Sequence, residues 1–385
     1  MSQTPLGNKE AKKKPRLFSI DALRGLIIIF MALDHANYFI AQKHSSGEYW
    51  GGTFPHYDNA LSFLTRFVTH FSAPGFFFLM GVGMLLFADS RQKQGWSKAA
   101  VIRHFLIRGT VLIGLQLLIV NRAWELSPGG WSLEVYIGVL FALGGTMIIS
   151  SFFLWLKPRY LFILSVVLLI GTELLHPAPH LWGQLSFVDF FDNLNVILVY
   201  PSGTTELWSN YPILPWLELV VFGILFANWL LNDRRQAFDI ALKLGLALLA
   251  AFAVVRYLDG FGNIRPREGN TWVDFLNTVK YPPAITFTLM TTGVNLILLN
   301  LFSKAREKAH KFLQPLVVFG QSPLFFYVLH LFFYAGLALW LTPDGTSIPA
   351  MYPYWLVGLV ILYPLCLWYG KLKRDQPANS ILRFL

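Results

Sequence analysis

The sequence predicts an all-α membrane protein, a polytopic helix bundle of about ten transmembrane helices with both termini on the cytoplasmic side. Three observations carry this reading. With 55% hydrophobic and only 14% charged residues over 385 positions, and a mean hydropathy of +0.50, the chain is too apolar for a soluble globule, in which charged residues approach a quarter of the total. Apolar runs close to the 20 or so residues that cross a hydrocarbon core recur along the chain. Basic residues fall on alternate loops, the pattern that sets orientation in membranes.

Residues 1–15 form a polar, basic tail, and residues 16–385 read as a single membrane domain without internal repeats, low-complexity stretches or a soluble unit. The apolar stretch after the tail lacks a small-residue cleavage site and is read as a retained first span at 18–40. Further spans are expected at 61–88, 102–121, 132–156, 160–176, 213–231, 237–255, 282–302, 316–341 and 352–370. The junction between the fourth and fifth, WLKPRYL, leaves room only for a tight turn. With the N-terminus inside, the inner side receives Lys12 to Lys14, Arg91, Lys93, Lys98, Lys157, Arg159, Arg234, Arg235, Lys304, Arg306, Lys371 and Arg374. The outer side keeps Lys43, Arg122, Arg256, Arg265, Arg267 and Lys280. Topology thus accounts for the net charge of +10, and a nucleic-acid partner is not implied. The lone Cys366 excludes an internal disulfide.

The outer loops differ from the inner ones. Residues 177–212 are long and mix aromatics with Asp189, Asp192 and Glu206; they are too aromatic for disorder and read either as a functional loop or as an interfacial helix over the bundle. Residues 43–60 and 256–281 are shorter versions of the same kind.

Ionisable residues inside the spans are costly and default to function. In the first span Asp21, Arg24 and His35 share one helical face, because positions 11 apart return to nearly the same angle, with Ile28 and Met31 between them. Arg24 and His35 stand roughly 16 Å apart along the axis, one near the cytoplasmic surface and one near the outer side. Asp34 points about 100° away from His35 and is expected to bond a neighbouring helix. In the second span Arg66 and His70 form an i,i+4 pair at the depth of His35, and Gly81 and Gly83 allow close helix approach. Taken singly, each residue fits a hydrogen-bonded structural role. Four at one depth on consecutive helices point to a site. In the ninth span Ser322 and Pro323 read as an N-cap and first helical position, His330 follows two turns in as a core histidine bonded to Tyr327 or Tyr334, and the amides of residues 320–322 offer a phosphate a helix start. The histidines match no zinc spacing, so no metal is expected.

These residues resemble a known family. R-L-x-S-I-D-x-L-R-G at 16–25, M-A-L-D-H at 31–35 and T-H-F-x-A-P-x-F-F-F-L-M-G at 69–81 are similar to the heparan-α-glucosaminide N-acetyltransferase-like family. Y-P-I-L-P-W at 211–216, P-P-A at 282–284 and G-Q-S-P-L-F-F-Y-V-L-H at 320–330 resemble its bacterial branch, and the opening motif resembles the wider membrane acyltransferase superfamily. The resemblance implies a multi-pass enzyme of the bacterial inner membrane, compatible with a homodimer. It would move an acetyl group from cytoplasmic acetyl-CoA to an amine or hydroxyl of a sugar or glycan on the outer face. In lysosomal members the active histidine follows the first span in a K-H-x-S context, loosely matched by Lys43-His44-x-Ser46, and asparagine stands at the position of His35. His35 and His44 therefore remain alternatives for the catalytic histidine.

Acyl transfer suits the residues. A near-neutral imidazole removes a proton from an attacking hydroxyl or amine, or carries the acyl group itself. A cavity beside the Asp21–Arg24–His35 stripe would place Arg24 at the nucleotide phosphates and His35 at the thioester; Arg108, Ser322 and His330 are further donor-side candidates. Arg66 or His70 would orient His35 or stabilise the oxyanion, and Trp182 or Trp208 would stack on a sugar. A proton-coupled permease also uses intramembrane His, Asp and Arg, but lacks here the inverted repeat common among such proteins.

Overall fold

The computed structural model describes residues 17–44, 47–127, 135–185, 190–204 and 206–376; the expected basic tail, Ser46 and Asp189 lie outside them. In chain order the helices are α1 (Phe18–Ala36), α2 (Ala60–Phe67), α3 (Ser72–Gln92), α4 (Lys98–Leu115), α5 (Asn121–Glu125), α6 (Val139–Ser150), α7 (Pro158–Leu175) and α8 (Phe190–Leu198). They continue with α9 (Ile213–Asn232), α10 (Arg234–Leu258), α11 (Trp272–Leu276), α12 (Ile285–Ser303), α13 (Glu307–Phe312), α14 (Gln314–Gln321), α15 (Pro323–Leu341) and α16 (Ile348–Asp375). Two π-helical segments, Asn37–Ala41 and Gln116–Val120, prolong α1 and α4, and a 3-10 turn, Val68–Phe71, joins α2 to α3. The molecule is the expected polytopic helix bundle.

Among the described residues, eight helical stretches are long and apolar enough to cross a membrane: α2–α3, α4–α5, α7, α9, α10, α12, α15 and α16. Two of the ten expected spans fall short of that standard, for different reasons. Helix α1 has the length, 19 residues before its π-helical extension, but carries Asp21, Arg24 and Asp34. Helix α6 keeps only 12 residues, because Val135–Ile137, expected to be helical, forms a strand before it and the chain already turns over residues 151–156 after it. This strand, β1, runs parallel to β3 (Leu207–Ser209), and β2 (Ser202–Gly203) pairs antiparallel on the other side of β3. The tight turn expected at WLKPRYL is present, and Pro158 stands in the first turn of α7, where its missing N–H leaves no helical bond unmade.

Helix α1 lies inside the bundle, packed most closely on α14 and flanked by α3, α12, α15 and α16. The α1–α14 seam is backbone against backbone: a Cβ on Gly25 would strike the Leu316 carbonyl, and one on Gly320 would strike that of Asp21. Helices α3 and α9 meet in the same way, Gly81 against the Val220 carbonyl and Gly223 against that of Phe78. In lipid, where hydrophobic transfer adds little between helices, such close van der Waals packing supplies much of the attraction. Gly83, expected to share this role, has nothing within 4 Å of a Cβ. The chain kinks at Ser322 between α14 and α15 and continues in parallel beside α1, so that Arg24 bonds Gly320 at one end of the seam and His35 bonds His330 at the other.

The outer loops lock into a cap; outer and inner here follow the orientation expected from charge. The Glu48 carbonyl accepts from the Lys280 and Tyr281 amides at 2.9 and 3.0 Å, and the Trp50 amide donates to the Tyr281 carbonyl at 2.8 Å. Arg265 donates to the Gly47 carbonyl at 2.6 Å and to that of Gly52, with its guanidinium over the Phe54 ring. Glu173 at the end of α7 accepts from the Gly262 and Ile264 amides, both at 2.8 Å. The two readings of residues 177–212 divide along the segment: α8 presents exposed Phe190 and Phe191, as an interfacial helix does, while Asn210 and Tyr211 are buried under the cap.

Candidate functional site

The site grows from one buried guanidinium. Arg66 on α2 is 1% exposed and makes a fork on Glu48, Nε to Oε1 at 2.8 Å and Nη2 to Oε2. Its Nη1 donates to Asp34 Oδ1 at 2.5 Å and lies 2.8 Å from His44 Nε2. Thr69 adds a hydroxyl to Asp34 Oδ1 at 2.8 Å. Asp34 therefore bonds the neighbouring helix, as its angular position on α1 requires. Two carboxylates, Asp34 and Glu48, face two cations, Arg66 and Lys280; Glu48, Arg66 and Lys280 are buried, and Asp34 opens on a cavity.

Glu48 belongs to the loop after α1. Burial alone would push its carboxyl up; the Arg66 charge, with His70 and Lys280 behind it, holds it down at about 2. For His44, in the same loop, burial and then the Arg66 charge both act downward and outweigh Asp34 and Glu48, so the ring is neutral at pH 7.

Beside this network lies a cavity of about 190 Å³, lined by His35, His44 and Asp34 on one side and by Tyr38, Tyr49, Trp124, Tyr136, Val139, Asn210, Tyr211, Tyr281 and Tyr327 around it. Asn210 ties two wall residues to Trp208 behind them: its Oδ1 accepts from the Tyr49 hydroxyl at 2.7 Å and from Trp208 Nε1 at 2.6 Å, and its Nδ2 donates to the Tyr136 hydroxyl at 3.1 Å. His35 Nδ1 is 2.6 Å from His330 Nε2, and the Trp124 ring stands edge-on to it at 5.4 Å. The two histidines that the sequence left as alternatives thus face one space, lined by hydroxyls, an amide and aromatic rings that suit a small polyhydroxylated molecule.

Other expected site residues are placed differently. His70 does not orient His35: it is 2% exposed, with Nε2 3.5 Å from Glu48 and Phe287 edge-on at 5.7 Å, and is no part of the cavity wall. Arg66 does not touch His35 either, because its donors are directed at Glu48, Asp34 and His44. His330 makes no hydrogen bond to the hydroxyl of Tyr327 or Tyr334 among the described residues. Tyr327 and Tyr334 stand edge-on at 5.6 and 6.2 Å, the Tyr334 hydroxyl donates to the Trp355 carbonyl, and His330 sits with His35 rather than with the inner cations. Ser322 occupies the N-cap position, yet its hydroxyl donates to the Cys366 carbonyl at 3.4 Å and its amide to Phe319 at 3.1 Å, so its amide is not left open to a phosphate.

At the inner end Arg24 donates to Asp21 at 3.0 Å and to the Gly320 carbonyl at 3.1 Å. Arg108 lies within electrostatic range of Arg24, and its buried Nε has no hydrogen-bond partner among the described residues. Between the two ends Ile28 and Met31 are buried in packing, and the cavity wall stops at Asp34 and His35, so the stripe does not line a cavity along its whole length. Trp182 packs on Tyr49 and Trp50, behind the wall, and Trp208 also stands behind it, bonded to Asn210. Among the described residues no group of three His, Cys, Asp or Glu side chains is placed to hold a metal ion.

Glu48, Lys280, Asn210 and Tyr281 were not singled out from the sequence. Tyr211 opens the Y-P-I-L-P-W segment and Tyr281 precedes P-P-A, so both sat beside noticed motifs. Glu48 and Lys280 gave no periodic signal, since both lie in loops.

The catalytic-region model described as heparan-alpha-glucosaminide N-acetyltransferase, catalytic, matches residues 16–255, which include α1, α2 and the loop carrying His44 and Glu48. The heparan-alpha-glucosaminide N-acetyltransferase of Mus musculus is 32% identical over 146 residues, covering 37% of this chain and 20% of that protein. The Homo sapiens protein of the same name is 31% identical over 137 residues, 36% of this chain and 19% of its own length. The chain's match thus spans about a fifth of the length of these curated relatives. On the match over residues 16–255, the chain belongs to the heparan-alpha-glucosaminide N-acetyltransferase catalytic family.

Proposed function

We propose that this protein is a transmembrane acetyltransferase that takes an acetyl group from acetyl-CoA on the cytoplasmic side and gives it to a hydroxyl or amine of a sugar or glycan on the outer side. The observation that carries the reading is the pair of imidazoles, His35 and His44, on one hydroxyl-lined cavity at the end of α1. Family membership supports the reaction class. A permease reading gains no support from either.

The chain's residues divide the work as follows. The nearer neighbour of His44 Nε2 is a guanidinium N–H of Arg66, so that nitrogen accepts and the proton of the neutral ring sits on Nδ1. His35 is the freer base, because its Nε2 has no partner among the described residues. His35 Nε2 takes the proton from the acceptor as its oxygen or nitrogen attacks the thioester carbonyl. A new C–O or C–N bond forms, the C–S bond breaks, and the imidazolium returns the proton to the departing sulfur. General-base assistance of this kind contributes about 10² to 10⁴ in rate. Arg24 and Arg108, two cations at the inner end of the seam, fit the phosphates of the donor, and the unpartnered Arg108 Nε is free to donate to one. The donor supplies the activated acetyl group.

Purified protein given labelled acetyl-CoA, with glucosamine as the probe acceptor, is expected to release CoA thiol and yield labelled product. Protein that does neither, with amino sugars or with neutral sugars, overturns the proposal. His44→Gln, which keeps an acceptor for Arg66, is expected to retain activity within about tenfold; a total loss there beside an active His35→Gln would move the base into the loop.

A further inference from the structure

We infer that His330 is a positioning residue that fixes the tautomer of His35, keeping the proton on Nδ1 and the lone pair of Nε2 free for the cavity. The inference rests on the reading above that His35 is the base. Its geometry stands independently of that reading.

The Phe326 carbonyl can only accept, and His330 Nδ1 lies 2.9 Å from it, so His330 carries a proton on Nδ1. His330 Nε2 is 2.6 Å from His35 Nδ1, and one proton must stand between these two nitrogens. If His330 were cationic, that proton would be its own, and His35 would accept it through Nδ1 and hold its remaining proton on Nε2. If His330 is neutral, Nε2 is an acceptor and the bridging proton belongs to His35 Nδ1. The surroundings choose the second case. His330 is 0% exposed, no carboxylate lies within ion-pair distance of it among the described residues, and the rings of Phe326, Tyr327 and Tyr334 enclose it. A lone charge there would be desolvated without compensation. The rings of Phe326, His330 and His35 lie nearly parallel, at 19° and 26° with centroids 5.1 and 4.9 Å apart, so the row also limits tilting of the His35 ring. The fixed partner of one ring nitrogen decides the chemistry of the other.

The row begins on α15, which follows the kink at Ser322, and the preceding α14 is held to α1 by Arg24 on the Gly320 carbonyl. The requirement is therefore for an acceptor at one point in space, and this separates positioning from mere filling. In His330→Gln the amide oxygen reaches the place of Nε2 and can accept from His35 Nδ1. In His330→Asn the shorter amide reaches only the place of Nδ1, and in His330→Leu there is no acceptor.

Two measurements test this on the full-length protein. With ¹⁵N-histidine labelling, wild type is expected to show His35 protonated at Nδ1 and unprotonated at Nε2, and the Leu and Asn variants a shift toward the opposite tautomer. In the acetyl-transfer assay, Gln is expected to stay within about tenfold of wild type, while Leu and Asn lose about 10² in kcat with the KM for acetyl-CoA unchanged. A wild-type His35 protonated at Nε2, or folded Leu and Asn variants that keep the wild-type tautomer, overturns the inference. Gln, Asn and Leu variants equal in kcat would also overturn it. An inactive wild type with the expected tautomer would instead overturn only the acetyltransferase reading.

Discussion

Arg66→Met is expected to cost about 3–5 kcal/mol of stability, the range for removing one partner of a buried ion pair. It should be read as a large fall in the thermal midpoint and in the yield of monodisperse protein in detergent. Arg66 is the common partner of Glu48, Asp34 and His44, with the first at 0% exposure, so its loss strands a carboxylate that water cannot reach. Arg66→Lys should recover little. A single ammonium cannot make the two-pronged contact with Glu48 and also reach Asp34. An Arg66→Met protein that melts with wild type would show that the network contributes nothing net.

The same network predicts an acid limb. The Glu48 carboxyl is lowered in the folded protein from the usual 4.5 to about 2. A lowered acid stabilises the fold above its unfolded value and loses that contribution as pH falls through the folded one. The cap formed by residues 47–55 and 256–281 is therefore expected to be fully stable above about pH 4.5 and to loosen progressively toward pH 2, seen as a rise in amide hydrogen exchange at Trp50, Lys280 and Tyr281. Glu48→Gln should flatten that dependence. An exchange profile with the same acid limb in Glu48→Gln would assign it to another group.

His35→Gln is expected to give the largest loss of activity, about 10² to 10⁴ in kcat, while leaving the melting temperature close to wild type. The two effects separate because of where the side chain sits. His35 lines the cavity and touches its neighbours through one hydrogen bond, a stacked contact with His330 and the edges of Trp124 and Tyr327, so removing it strands no buried charge. The contrast with Arg66 is the useful feature: one substitution should remove chemistry and keep the fold, the other should remove the fold. A His35→Gln protein as active as wild type would exclude this imidazole as the base, and His44 on the same wall would inherit the role.

Much of this architecture was legible in the chain. Span number and order follow from apolar runs, because lipid demands about 20 such residues per crossing whatever they pack against. The exceptions are instructive. Helix α6 is shorter than its apolar run partly because the turn begins early, at Ser151, and partly because Val135–Ile137 found a strand partner in Leu207–Ser209, some 70 residues away, a pairing with no local signature. The stripe on α1 was visible as a period of 11, and its two ends do contact α14 and α15. Between them Ile28 and Met31 are buried in packing, which the period alone does not show.

The family resemblance singled out His44; by itself, the sequence determined that the chain is a membrane bundle and that α1 carries its ionisable residues, His35 among them, on set faces. These are local properties, fixed by helix geometry and by the cost of charge in lipid. Only the tertiary structure decided which charges meet. It put Glu48 from a loop onto Arg66, turned His70 away from the cavity, and set His330 against His35. Partner choice among buried polar groups is settled where helices and loops come together, since each must find its hydrogen bonds inside the protein or remain unsatisfied.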